Sequence, residues 1–140
     1  MGGASRIRFI VNPIAGPSRE DIGSVIRGEL RPTGIDFDLL WTRRPGHATE
    51  LALGADDDAI VAAVGGDGTV NEVASALVGK EAALGIIPRG SGNGLARSLG
   101  IPLDPRGACR ALRSACPGAS GAPHKARPAP ASICPSPKPR

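Results

Sequence analysis

Residues 59–71, AIVAAVGGDGTVN, run from an apolar segment straight into a glycine turn and then into a helical pattern. That junction restricts the chain to few architectures. The apolar run is short, partly β-branched and free of polar alternation, which predicts a buried central strand of a parallel sheet. Gly65, Gly66 and Gly68 allow a tight turn and let a ligand approach the main chain. Thr69 and Glu72 have the T-x-x-E spacing of a capping box, so the spacing predicts a helix starting at Thr69. Unpaired N–H groups at such a helix start favour an anion, and phosphate is the usual one.

Asp67 sharpens this pattern. A carboxylate repels a phosphate unless Mg²⁺ bridges them, or unless it takes a proton from an attacking hydroxyl. For one such motif alone, the alternative is a plain turn whose Asp bonds nearby N–H groups, since Gly/Asp turns are common.

Two further segments have the same layout. Residues 6–11, RIRFIV, predict a first strand, followed by Asn12, Pro13, Ile14, Ala15 and Gly16. Ser18 stands three residues before Asp21, a weak capping box that predicts a helix over 19–30. Residues 83–87 predict another buried strand, followed by Pro88-Arg89-Gly90-Ser91-Gly92-Asn93-Gly94. Ser91 and Asn93 bring hydrogen-bonding side chains to that loop, and Arg89 brings a charge suited to phosphate or to solvent. Residues 37–42 predict the second strand and 48–53 a short helix, completing a β/α alternation. In an open parallel sheet these loops all fall at the carboxyl ends of the strands, where ligands bind. No G-x-x-x-x-G-K-[ST] occurs, and Gly90–Leu95 has Leu where a dinucleotide fingerprint places its last glycine. Asp56-Asp57-Asp58 precedes a strand and so belongs to the opposite edge, as a solvated turn. His47 reads as a surface or helix-start residue.

The segments NPIAG, GGDGTVNEVASAL and IIPRGSGNGLARSLGIP, in this order and spacing, resemble the catalytic domain of the diacylglycerol kinase and sphingosine kinase family, closest in style to the bacterial soluble lipid kinases. Thr42 and Gly46-His47-Ala48 also match, and the resemblance covers about residues 6–105. It implies an α/β domain with a Rossmann-like parallel sheet and flanking helices, similar to phosphofructokinase and NAD kinase, followed by a β-rich C-terminal domain. It implies ATP as donor, Mg²⁺ as cofactor, and a diacylglycerol-like or sphingoid lipid hydroxyl as acceptor. It assigns ATP contacts to Asn12, Pro13, Ile14, Ala15, Gly16, Thr42, Gly65, Gly66, Asp67, Gly68, Thr69, Val70, Asn71, Glu72, Ser91 and Asn93, with Asp67 at the reaction centre. The family's commonest third motif has Asp after the Asn; Gly94 stands there, as in sphingosine-kinase-like members. NAD kinases share the G-G-D-G element and are the enzymatic rival; a non-catalytic nucleotide-binding module is the other.

At 140 residues the chain holds one core, too few for both domains. Residues 103–113 predict a short helix. Residues 115–140 contain seven prolines and no apolar periodicity, which predicts disorder. The expected division is a nucleotide-binding domain over 1–113 and a disordered basic Pro/Ala-rich tail over 114–140. Such a chain reads as a fragment of the family's catalytic unit, with little activity alone, and its uncovered apolar surface favours self-association. Residues 1–104 carry a net −3 and residues 105–140 a net +7, so the high pI is a tail property and does not indicate nucleic-acid binding. The tail suits peripheral contact with anionic lipid. Cys109, Cys116 and Cys134 form neither a disulfide framework nor a zinc pattern, and free thiols in a reducing cytosol are the simplest reading. No run is long enough to span a membrane.

Overall fold

The computed structural model describes residues 6–14, 21–56, 59–116 and 132–133. The element order is β1 (Ile7–Val11), α1 (Ile22–Leu30), a 3₁₀ turn (Arg31–Thr33), β2 (Phe37–Trp41), α2 (His47–Leu53), β3 (Ile60–Gly65), α3 (Asp67–Leu77), β4 (Ala83–Pro88), α4 (Gly94–Leu99), α5 (Pro105–Ser114) and β5 (Ser132–Ile133). The sheet order is β2-β1-β3-β4-β5, parallel throughout except for β5, which pairs antiparallel with Leu84 and Gly85. This is the Rossmann-like α/β architecture expected from the sequence.

The apolar runs became the strands because a parallel sheet is covered on both faces. All six residues of β3 and all six of β4 are buried. Right-handed crossovers put α2 and α3 on one face and α1 on the other. There α1 packs against α5, which also covers β4. Phe9 meets the ring of Phe37 edge-on at 6.0 Å between centroids, tying the edge strand β2 to the core. The ring pair is the only one among the described residues.

Glu29 on α1 is buried and clasps α5. Its carboxylate accepts from Arg110 Nε at 3.1 Å and Nη2 at 3.3 Å, and its carbonyl accepts from Arg113 Nη1 at 2.6 Å. Two tail-side cations are therefore engaged within the domain. The thiols of Cys109 and Cys116 are pushed up by burial, to about 12 and about 11. Cys134 lies outside the described residues.

Several expected boundaries move. The first helix begins at Ile22, and Asp21 is its N-cap, accepting from the N–H groups of Gly23 and Ser24 at 3.0 and 3.4 Å. Asp21 therefore acts as the cap and not as the third helical residue of a box opened by Ser18, which lies outside the described residues. The helix after the G-G-D-G turn begins at Asp67, two residues before Thr69, with Gly66 as N-cap. The T-x-x-E box does not form, because Thr69 and Glu72 both bond to other loops. Asp57, Asp58 and most of 117–140 lie outside the described residues. Of the stretch read as a disordered tail, Ser114 is the last residue of α5, Ala115 is its C-cap, Cys116 is buried, and Ser132–Ile133 is paired as β5.

The Asp21 carboxyl is held below its ordinary value by the Ser24 hydroxyl first and by the Ser24 and Gly23 amides. A lowered folded value stabilises above the unfolded value of about 3.9 and is lost as pH falls through the folded one. Asp21→Ala should therefore melt lower than wild type at about pH 6 and converge with it near about pH 2, read by thermal denaturation. Glu29→Ala should destabilise by about 1–2 kcal/mol in urea, a modest figure because Arg110 is largely exposed.

Candidate functional site

The strand order reverses between β1 and β3. The chain steps outward from β1 to β2, then crosses back to β3. At such a reversal the following loops diverge and leave a crevice at the carboxyl ends. The loops after β1, β3 and β4 all meet there. Asn12 N–H donates to Val64 O at 3.0 Å, and Arg89 N–H donates to Gly65 O at 2.8 Å, so each loop leaves the sheet while still bonded to its neighbour.

The β3–α3 loop is the middle of the three. Gly65 has no room for a side chain: a Cβ would lie 2.7 Å from Thr69 Oγ1. Gly66 and Gly90 face each other so closely that a Cβ on Gly90 would lie 2.5 Å from Gly66 Cα. The first helical bond of α3 runs from Val70 N–H to Gly66 O at 3.1 Å. The amides of Asp67, Gly68 and Thr69 thus have no intrahelical acceptor and sit at the positive end of the helix.

Asp67 is exposed and joins two loops. Its Oδ1 accepts the Gly94 N–H at 2.9 Å, while Oδ2 takes no hydrogen bond among the described residues. Asn12 donates from Nδ2 to Thr69 Oγ1 at 3.4 Å and accepts at Oδ1 from Ile14 N–H at 3.1 Å. Asn93 adopts a left-handed conformation with φ 52°. Its carboxamide is used within its own loop, accepting from Gly90 N–H at 2.9 Å and donating to Gly90 O at 2.8 Å.

The crevice has two lobes that share Asn12, Gly68 and Thr69. One, of about 420 Å³, lies between Gly66–Gly68 and Gly90–Gly92, with Ser91 on its rim. The other, of about 350 Å³, is walled by Pro13, Ile14, Thr42, Pro45, Ala48 and Glu72. Ile14 is 87 % exposed at its mouth. Most of the expected site residues therefore converge. Val70 does not, being packed in the core, and Gly65, Asn71 and Asn93 line neither lobe. Ala15 and Gly16 lie outside the described residues. Glu72 reaches across to accept the Gly46 N–H at 3.3 Å. Pro45 and the Gly94 amide carry no chemical signature in sequence, and Ala48 was marked only by the matching Gly46-His47-Ala48 stretch. Among the described residues no group of three or more His, Cys, Asp or Glu could hold a metal ion.

The model of the diacylglycerol kinase catalytic domain family matches residues 6–119. A probable lipid kinase, YegS-like, from Klebsiella pneumoniae is 46 % identical over 80 residues, covering 54 % of this chain and 27 % of that protein. A diacylglycerol kinase from Staphylococcus haemolyticus is 39 % identical over 108 residues, covering 72 % of this chain and 32 % of that protein. The crystal structure of a diacylglycerol kinase from Bacillus anthracis superposes with a TM-score of 0.66 at 29 % identity, over 78 % of this chain and 42 % of that one. The chain spans about a third of the length of the curated relatives it matches.

Gly90→Ala should cost about 1–3 kcal/mol in urea denaturation, because backbone meets backbone and one loop must move. Gly68→Ala, where a Cβ finds open space, is the control and should leave stability unchanged or slightly higher.

Proposed function

The chain belongs to the diacylglycerol kinase catalytic domain family, and from that premise we propose that it is the nucleotide-binding part of an enzyme transferring the γ-phosphoryl group of ATP to a lipid hydroxyl. One observation supports this best. A carboxylate with one oxygen bonded to the Gly94 amide and the other taking no hydrogen bond among the described residues stands at a helix start, among amides that have no intrahelical acceptor.

In this reading the triphosphate lies along the Gly66–Thr69 amides and the Gly90–Gly92 loop, where N–H groups and helix polarity favour negative charge. The smaller lobe takes the nucleoside. Its Pro13, Pro45 and Ala48 surfaces are apolar, and Thr42 offers a hydroxyl. Asn12 and Asn93 shape the loops more than they reach a ligand. Mg²⁺ typically binds through one or two carboxylates together with substrate phosphates, and a lone Asp67 beside a phosphate cradle fits that mode. When bound, Mg²⁺ supplies charge neutralisation on the phosphates. Asp67 Oδ2 is then a metal ligand or the acceptor of the lipid hydroxyl's proton.

The relatives' names favour a lipid acceptor over NAD. Diacylglycerol-like and sphingoid hydroxyls remain the two acceptor classes. The net +7 of residues 105–140 supports peripheral contact with an anionic leaflet, reduced by the Arg110 and Arg113 contacts to Glu29. Among the described residues no helix is long and apolar enough to cross a membrane.

Calorimetric titration with Mg·ATP tests the site directly. Wild type should bind, and Asp67→Ala should bind at least about tenfold more weakly. Asp67→Asn keeps an acceptor for Gly94 and should fall between them, which separates charge from loop support. Equal binding by wild type and Asp67→Ala removes the proposed centre; binding by neither removes the nucleotide reading.

A further inference from the structure

We propose that His47 is a positioning residue that fixes the nucleoside-side wall of the crevice, and this rests on the nucleotide reading above. Its chemistry is otherwise unused. The wall is the turn from Thr42 to Gly46, between β2 and α2. At its start Thr42 N–H is bonded to Val11 O at 2.9 Å, so the strand end is fixed. The next amide, Arg43 N–H, donates to the Nδ1 of His47 at 2.9 Å. His47 also closes the turn with its own backbone, donating its N–H to Arg44 O at 3.1 Å. One residue thus grips the turn at two points, by ring and by main chain.

The ring contact decides a tautomer. An Nδ1 that accepts a hydrogen bond carries no proton, so the neutral ring has its proton on Nε2. The same turn is tied to the phosphate-side helix. Gly46, at φ +84°, donates its N–H to Glu72 Oε2 at 3.3 Å, and Thr49 Oγ1 donates to Glu72 O at 3.0 Å. Glu72 lies on α3, whose first residue is Asp67. The wall therefore keeps a set distance from the carboxylate only while both its ends are held: His47 holds one and Glu72 the other. Arg44, which also lines this lobe, is paired with Glu50 at 2.6 and 2.8 Å.

The phosphate lobe is built differently, from backbone contacts among Gly65, Gly66, Arg89 and Gly90 that do not involve this turn. Loosening the wall should then weaken the grip on the nucleoside and leave the grip on the phosphates. A defect that merely destabilised the domain would weaken both.

The test compares Mg·ATP with Mg·tripolyphosphate on the full chain. His47→Leu should weaken Mg·ATP binding about tenfold while changing Mg·tripolyphosphate binding less than about twofold. His47→Asn, whose carboxamide oxygen can replace Nδ1 as acceptor, should restore most of the loss. Unchanged ATP affinity in His47→Leu, an equal loss of both ligands, or no rescue by Asn overturns the inference. Wild type binding neither ligand overturns the nucleotide reading, and this inference with it. Imidazole ¹⁵N shifts of the wild-type chain provide a check that needs no variant to fold. In the neutral ring an unprotonated Nδ1 is expected, and an Nδ1–H tautomer overturns the proposal whatever ATP does.

Discussion

The closeness of Gly66 to Gly90 is the constraint on which the rest of the crevice depends. A single added methyl would lie 2.5 Å from the opposite Cα, so the two loops touch through main chain alone. Side-chain contacts can adjust by rotamer changes; backbone contacts cannot. The Arg89–Gly65 hydrogen bond locks the loops in register at the strand ends, and the Asp67–Gly94 bond locks them again a few ångströms out. Two flexible-looking glycine segments become one rigid surface.

Topology explains why that surface lies where it does. The reversal of strand order between β1 and β3 opens a gap that the following helices cannot fill. Into it point the start of α3, the Asn12 turn and the loop before α4. The core supports this indirectly. Buried β3 and β4 fix the loop origins, and the Glu29 clasp keeps α5 against the sheet face behind them. Rigid elements carry the crevice, while its lining falls largely to loop residues.

Much of this was legible in sequence. The strands were readable because fully buried parallel strands appear as short apolar runs, and glycine-rich segments directly after them mark the ligand edge. What failed was local cap chemistry. Thr69 and Glu72 have the spacing of a capping box, yet the structure uses Thr69 to receive Asn12 and Glu72 to receive Gly46, partners 57 and 26 residues away. Asp21 was read as a helical position and is the cap itself. Pattern rules assume that a polar side chain bonds nearby; at a convergence of loops, distant groups compete and win. Asn93, by contrast, bonds locally, bracing its own loop through Gly90 three residues away. His47 was read as a helix start and is the first residue of α2, but its ring contact was not legible, because the partner is a backbone amide and amides leave no trace in a sequence.

Gly94 touches Asp67 only through its main-chain N–H, and a Cβ placed there would sit 3.9 Å from Oδ1, an ordinary contact. The hydrogen bond that orients the carboxylate is therefore indifferent to which residue occupies position 94. A Cβ fits there without moving the scaffold, and an aspartate at 94 would add a second negative charge beside Asp67. Position 94 thus separates charge from geometry: the frame is held by the main chain, and in this chain glycine leaves Asp67 without a second carboxylate at that position.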